Sequence, residues 1–206
     1  VLPNFHAFGF TVCSMLPLVG GLAQVIMPTF MPAENTLNAL LASEASVVVG
    51  VPTMIALLLG AAARGGVQCP SVKMIVSGGD RFPVHLDGRC QEVFGVGVLE
   101  GYGLTETSPV VSINPAAHNR RLGTVGSLLP GFEAQVRNAA GEILAPGDEG
   151  VLWLRGPSVT SGYFDAPDLT AQRFDGGWFN TGDMVRLDAD GYLSILERVS
   201  DLIIVS

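Results

Sequence analysis

Val47-Val48-Val49-Gly50-Val51-Pro52-Thr53 is a run of branched apolar side chains punctuated by a glycine and closed by a proline. A run this short and this rich in valine suits a strand covered on both faces, as in a parallel sheet. Outward from it the pattern alternates. Residues 53–64 read as a helix, 72–76 as a strand, 83–94 as a helix and 96–100 as another strand. Strand and helix alternating in this way predict an α/β fold built on a doubly wound parallel sheet. Ligands of such sheets gather at the carboxyl ends of the strands, where Ser77-Gly78-Gly79-Asp80 and Gly101-Tyr102-Gly103 fall.

Beyond Gly131 the texture changes to a period of two. Phe132–Arg137, Val151–Arg155, Met184–Leu187 and Tyr192–Leu196 alternate, and turn sequences separate them at 138–141, 146–148 and 188–191. This predicts a small antiparallel β subdomain after the parallel sheet. The expected division is residues 1–130 for the α/β part, 131–197 for the antiparallel part, and 198–206 for a hinge into a further domain. Val1 opens inside an apolar stretch, and Leu202-Ile203-Ile204-Val205-Ser206 closes the chain. Domain boundaries are usually polar, so the chain reads as an internal fragment.

The 206 residues are 48% apolar with a net charge of -8 and a single lysine, Lys73, which argues against a nucleic-acid partner. Cys13, Cys69 and Cys90 are far apart and fit no familiar zinc spacing, so they read as reduced thiols in a cytoplasmic protein. The uncharged stretches 7–33 and 45–63 are long enough for a membrane helix. Pro17, Gly20, Gly21, Pro28, Pro32 and Pro52 divide them, so no transmembrane segment is expected, and a peripheral membrane contact is the lesser reading.

The most informative string is Gly101-Tyr102-Gly103-Leu104-Thr105-Glu106-Thr107. It offers a ring to stack on a base, a hydroxyl for phosphate and a hard oxygen ligand for Mg²⁺, although it also suits an ordinary strand-to-loop turn. In Gly177-Trp178-Phe179-Asn180-Thr181-Gly182-Asp183, the final carboxyl can accept from both hydroxyls of a ribose or serve a local turn. The segment 149–157 with Gly162-Tyr163 is favoured as a structural hairpin.

In this order and spacing, these strings resemble the adenylate-forming superfamily of acyl-CoA synthetases, luciferases and peptide-synthetase adenylation domains. The resemblance runs from Leu2-Pro3-Asn4-Phe5-His6 through Gly50-Val51-Pro52-Thr53, Ser77–Asp80, Gly101–Thr107, Gly123-Thr124-Val125-Gly126 and Pro130-Gly131. It continues through 149–163 and 177–183 to Glu197-Arg198-Val199-Ser200-Asp201. It implies that Tyr102 stacks on adenine, Thr105 contacts the α-phosphate and Glu106 helps to hold Mg²⁺. Asp183 and Arg198 would hold the ribose. Ser77, Gly78, Gly79, Gly101 and Gly103 would pass beside the nucleotide, with Gly78, Gly103 and His6 facing the acyl group. His6 also suits a satisfied core histidine.

The implied reaction is ATP-dependent activation of a carboxylic acid to an acyl-adenylate, followed by transfer to the thiol of coenzyme A. The absence near His6 of the aspartate that amino-acid-activating relatives use favours a fatty acid. An acyl-carrier-protein thiol is the alternative acceptor. The chain lacks the family's Ser/Thr/Gly-rich phosphate loop and its C-terminal lysine, so little or no ligase activity is expected of these residues alone. At the hinge, Ser200 stands where many relatives have a charged residue. Rival readings are a non-catalytic nucleotide-binding module and a peptide-synthetase adenylation domain.

Three strings mislead. Gly95-Val96-Gly97 with Gly101 imitates a dinucleotide fingerprint, but it precedes a strand instead of joining strand to helix. Asp188-Ala189-Asp190-Gly191 with Glu197 imitates part of a calcium loop, with Arg186 at the first ligand position. Ser161 or Ser194 with His85 or His118 lacks the GxSxG elbow of a hydrolase.

Overall fold

The computed structural model describes residues 2–115 and 118–198; the side chain of Arg198 and the expected hinge after it lie outside the described residues. The chain starts with α1 (Ala7–Phe10), a π-helical turn (Thr11–Met15) and α2 (Leu16–Val19), followed after an irregular stretch by α3 (Ala33–Ser43). There follow β1 (Val47–Gly50), α4 (Pro52–Gly65), β2 (Met74–Ser77), a 3₁₀ turn (Val84–Leu86), α5 (Asp87–Phe94) and β3 (Val98–Gly103). The strand–helix alternation read from the sequence is therefore present, with β1, β2 and β3 adjacent and parallel.

Local chemistry explains the helix limits. Pro52 occupies the first turn of α4, where its missing N–H costs nothing, and Gly66 ends the helix in the left-handed region at φ 60°. Gly95 ends α5 the same way, so the glycine of the dinucleotide-like string is a helix stop. Ile55, Leu58 and Leu59 of α4 and Cys90 and Phe94 of α5 pack with Val48, Ile75 and Val98 into one buried core. Burial is the main force on the Cys90 thiol, helped by the nearby Asp87 carboxyl, and together they push its pKa up to about 12. Such a thiol is unreactive.

The parallel part continues into β4 (Val110–Ile113) and β5 (Ser127–Leu128), antiparallel additions that complete the order β1-β2-β3-β4-β5. A second sheet of β6 (Glu133–Arg137), β7 (Glu149–Arg155), β9 (Trp178–Leu187) and β10 (Leu193–Arg198) is antiparallel, in the order β10-β9-β7-β6. Between β7 and β9 lie α6 (Pro167–Arg173) and the short β8 (Phe174–Asp175), which pairs with β9. The alternation in the sequence is visible as burial: Leu152, Leu154 and Val185 point inward to join Val111, Val136 and Leu193 in a second core. On the other face, the Arg137 guanidinium lies 4.3 Å from the ring centroid of Trp153, and that of Arg155 lies 4.7 Å from Trp178.

The side chain of Tyr102, on β3 of the first sheet, packs against this second core. Ser127 also bridges to Tyr192, so the two sheets meet where β3 ends. At the opposite end of the chain order, the segment around α1 and α2 turns apolar residues outward: Phe5 is 95%, Val19 80% and Ile26 82% exposed. Among the described residues no helix is long and apolar enough to cross a membrane.

Candidate nucleotide site

The carboxyl ends of β2 and β3 lie side by side, with Ser77 opposite Glu100 in the parallel register. Gly78 leaves β2 at a point where a Cβ would come within 3.2 Å of the Phe8 ring and 3.4 Å of the Gly101 carbonyl oxygen. A side chain there would have to push the Phe8 ring aside by a few tenths of an ångström, so glycine keeps the passage open. Glu100 is buried, and its side chain accepts from the Phe82 N–H at 2.9 Å. Burial drives its carboxyl pKa up, against hydrogen bonds from the backbones of Phe82 and Gly123. One acid thus ties the loop after β2 to β3.

A register shift between Tyr102 and Gly103 in the β3–β4 pairing re-aims the strand as it ends. Tyr102 turns toward β9, and its hydroxyl donates to Asp183 Oδ2 at 2.5 Å, across 81 residues of sequence. Asp183 is buried, and its N–H donates to the Thr181 hydroxyl, which in turn donates to the Leu152 carbonyl. Arg198 faces Asp183 in the β9–β10 register, so the backbone brings the two expected ribose residues together.

The chain then forms a 3₁₀ turn over Thr105–Thr107. Thr107 is buried and pins it, with its hydroxyl on the Leu104 N–H, the Leu104 carbonyl and the Pro109 carbonyl. Thr105 is left exposed, and Glu106 half-buried beside the segment that follows β7. The Tyr163 hydroxyl donates to Glu106 Oε1 at 2.8 Å, and the Thr160 N–H donates to the Glu106 carbonyl oxygen at 2.8 Å. Burial, with the Glu106 carboxyl beside it, pushes the Tyr163 phenol up to about 12, so it stays a hydrogen-bond donor at ordinary pH. The hydroxyls of Ser77 and Ser112, the second facing Tyr102 across the β3–β4 ladder, are buried without a hydrogen-bond partner. Orphaned buried hydroxyls are uncommon in folded proteins.

The structure therefore brings Tyr102, Asp183 and the Arg198 backbone together, with Ser77, Gly78, Gly101 and Gly103 on the same strand ends. Gly79 follows in an exposed left-handed conformation at φ 83°. His6 is exposed and its Nδ1 accepts from the Phe8 N–H as the cap of α1, and the ring of Phe8, two residues on, reaches Gly78. Lys73 is exposed, with its ammonium on the Pro70 carbonyl. In the calcium-like string, Arg121 takes the Asp188 and Asp190 carboxyls at 2.8 and 2.7 Å. Sequence reasoning missed the contact of Tyr163 with Glu106; the only signal was the place of Tyr163 beside Gly162 in a string assigned to a hairpin.

Comparison with known proteins gives this geometry a family. Residues 1–164 match the AMP-binding enzyme family. The long-chain-fatty-acid–CoA ligase of Bacillus subtilis (strain 168) is 32% identical over 99% of this chain and 36% of its own length. Feruloyl-CoA synthase of an Amycolatopsis species is 32% identical over 98% of this chain and 41% of its own. The solved structure of O-succinylbenzoate coenzyme A synthetase from Bacillus subtilis, in complex with ATP and magnesium ion, superposes with a TM-score of 0.85. It is 30% identical, over 98% of this chain and 42% of that one. The chain thus spans about two fifths of the length of the relatives it matches. With the strand ends, the glycine-lined passage and the Tyr102–Asp183 contact in place, the chain belongs to the AMP-binding enzyme family, the adenylate-forming superfamily of the acyl-CoA synthetases.

Proposed function

We propose that these residues form the adenosine-monophosphate part of an acid–thiol ligase that activates a carboxylic acid with ATP and passes the acyl group to coenzyme A. The single observation that carries this reading is the Tyr102–Asp183 hydrogen bond, which joins two otherwise separate motifs at the meeting of the two sheets. In it, the Tyr102 ring stacks on adenine while Asp183 and Arg198 hold the ribose. Ser77, Gly78, Gly79, Gly101 and Gly103 line the passage for nucleotide and acid, and His6 marks the acyl end. Thr105 donates to the α-phosphate. A carboxylate oxygen of the acid forms a bond to the α-phosphorus, the bond to pyrophosphate breaks, and the acyl-adenylate remains. The protein's part is to align the two reactants and to place donors where charge develops.

Glu106 suits Mg²⁺ because that ion takes one or two carboxylates and leaves its other positions to phosphate oxygens and water. Among the described residues no group of three acidic, histidine or cysteine side chains forms a metal cage, so the cation would arrive with the nucleotide. When bound, it would neutralise phosphate charge. A fatty acid is the favoured substrate, with the apolar side chains of Phe5, Phe8 and Phe10 near the opening motif. The division at residues 130 and 197 belongs to the same proposal: one unit carries the strand ends and the other carries Asp183.

Calorimetric titration of the 206-residue chain with AMP tests the reading. Binding is expected, and Asp183→Ala should weaken it at least about tenfold, or about 1.4 kcal/mol. Undiminished affinity in that variant would remove Asp183 from the site. Pyrophosphate release from ATP and fatty acid by these residues alone is expected to be negligible, and release at an ordinary enzymatic rate would overturn that part.

A further inference from the structure

The segment after β7 is fastened to the turn that carries Thr105 and Glu106 by three hydrogen bonds. Thr160 N–H donates to the Glu106 carbonyl at 2.8 Å, the Ser108 hydroxyl to the Ser158 carbonyl at 3.0 Å, and the Tyr163 hydroxyl to Glu106 Oε1 at 2.8 Å. Only the last touches the Glu106 side chain. Tyr163 is itself held from two directions. Its N–H donates to the Thr170 hydroxyl at 2.9 Å, and that hydroxyl donates to the Ala166 carbonyl, anchoring the residue to α6. Its ring meets Phe174 edge-on with centroids 6.3 Å apart, and Phe174 lies 5.0 Å from the buried Phe179 of β9.

A chain of contacts therefore runs from the buried Phe179 of β9 through Phe174 and Tyr163 to one oxygen of Glu106. A phenol so braced cannot follow a carboxyl that swings, so it selects one orientation of it. We infer that Tyr163 is a positioning residue, fixing one carboxyl oxygen of Glu106 so that the other is presented to the cation accompanying the nucleotide phosphates. This rests on the proposed role of Glu106 and adds to it a residue 57 positions away in sequence. Outer partners that orient a metal-binding carboxyl typically change metal affinity by 10- to 100-fold when removed, which sets the scale expected here.

The test uses the 206-residue chain, with calorimetric titrations of AMP without metal and of ATP at a series of Mg²⁺ concentrations. Tyr163→Phe keeps the ring against Phe174 and deletes only the hydroxyl. It should raise the Mg²⁺ concentration needed for half-maximal ATP binding about tenfold while leaving AMP affinity within about twofold. Thr170→Val, which loosens the backbone of Tyr163 without touching Glu106, should shift the Mg²⁺ requirement in the same direction by about threefold, and it carries the test if Tyr163→Phe fails to fold. An unchanged Mg²⁺ requirement in the folded variants overturns the inference, as does a loss of AMP affinity as large as the loss of Mg²⁺-dependent ATP affinity. A wild-type chain that binds AMP but shows no Mg²⁺ dependence with ATP removes Glu106 as the cation's ligand and this inference with it. A chain that binds neither nucleotide overturns the proposed function as a whole.

Discussion

Gly103 and Gly88 are glycines for opposite reasons. A Cβ on Gly103 would lie 1.6 Å from the Pro109 carbonyl oxygen, a backbone atom that cannot move aside without breaking the turn after β3. Gly103→Ala should therefore destabilise the fold by about 3 kcal/mol or more, measured by urea unfolding. Gly88, in the first turn of α5, would place its Cβ in open space. Gly88→Ala should stabilise by about 0.5–1 kcal/mol, since alanine loses less conformational freedom in a helix. The sequence showed Tyr102, Asp183 and the small residues near Gly78 because each sits in a distinctive local string. It did not show that Tyr163 touches Glu106. That contact spans two turns and a sheet edge, and no periodicity marks a hydrogen bond between residues so far apart.

Among the elements, α5 is lashed to the loop after β4. The Asp87 carboxyl accepts from Arg120 at 2.5 and 2.7 Å, from the Val98 N–H at 2.9 Å and from Gln91 at 2.7 Å. Burial alone would raise the Asp87 pKa, but the hydrogen bonds from Arg120, Val98 and Gln91 outweigh it and hold the carboxyl below its usual value. A depressed folded-state pKa contributes stability above the unfolded value, roughly pH 4, and that contribution is lost as pH falls through the folded value. Asp87→Asn should cost about 3 kcal/mol at pH 7, because Arg120 is left buried without its counter-charge. The gap between wild type and variant should narrow below about pH 4, and acid unfolding curves of the two chains check this. A gap that stayed constant with pH would contradict it.

Strands β1, β2 and β3 were legible because valine-rich runs bounded by glycine and proline leave few alternatives. Strands β4 and β5 were not. They are four and two residues long, and what defines them is pairing, β4 on β3 and β5 on β4, and not a pattern of their own. The helix expected over 83–94 is split into a 3₁₀ turn and α5 at Asp87, where the carboxyl is taken by the contacts just described.

At the scale of the whole molecule, the two sheets meet through Tyr102 and the Ser127–Tyr192 bridge, and the Tyr102–Asp183 hydrogen bond places the expected ribose acid at that seam. The change from an α/β texture to an antiparallel one near Gly131 was readable because side-chain periodicity changes there. The seam itself was not, since it depends on which strand ends face each other in space. The bared α1–α2 region governs how the 206-residue chain behaves in a tube. A crowded apolar surface of this kind lowers its free energy by adhering to whatever is greasy nearby, whether a fluorescent dye, a detergent micelle or another molecule of the same sort. Light scattering should rise steeply with concentration, and Val19→Lys combined with Ile26→Lys should flatten that rise. Because both side chains already face solvent, the pair should alter the unfolding free energy by less than about 1 kcal/mol. Two ammonium groups placed on that surface should then change how the chain associates without changing how it folds.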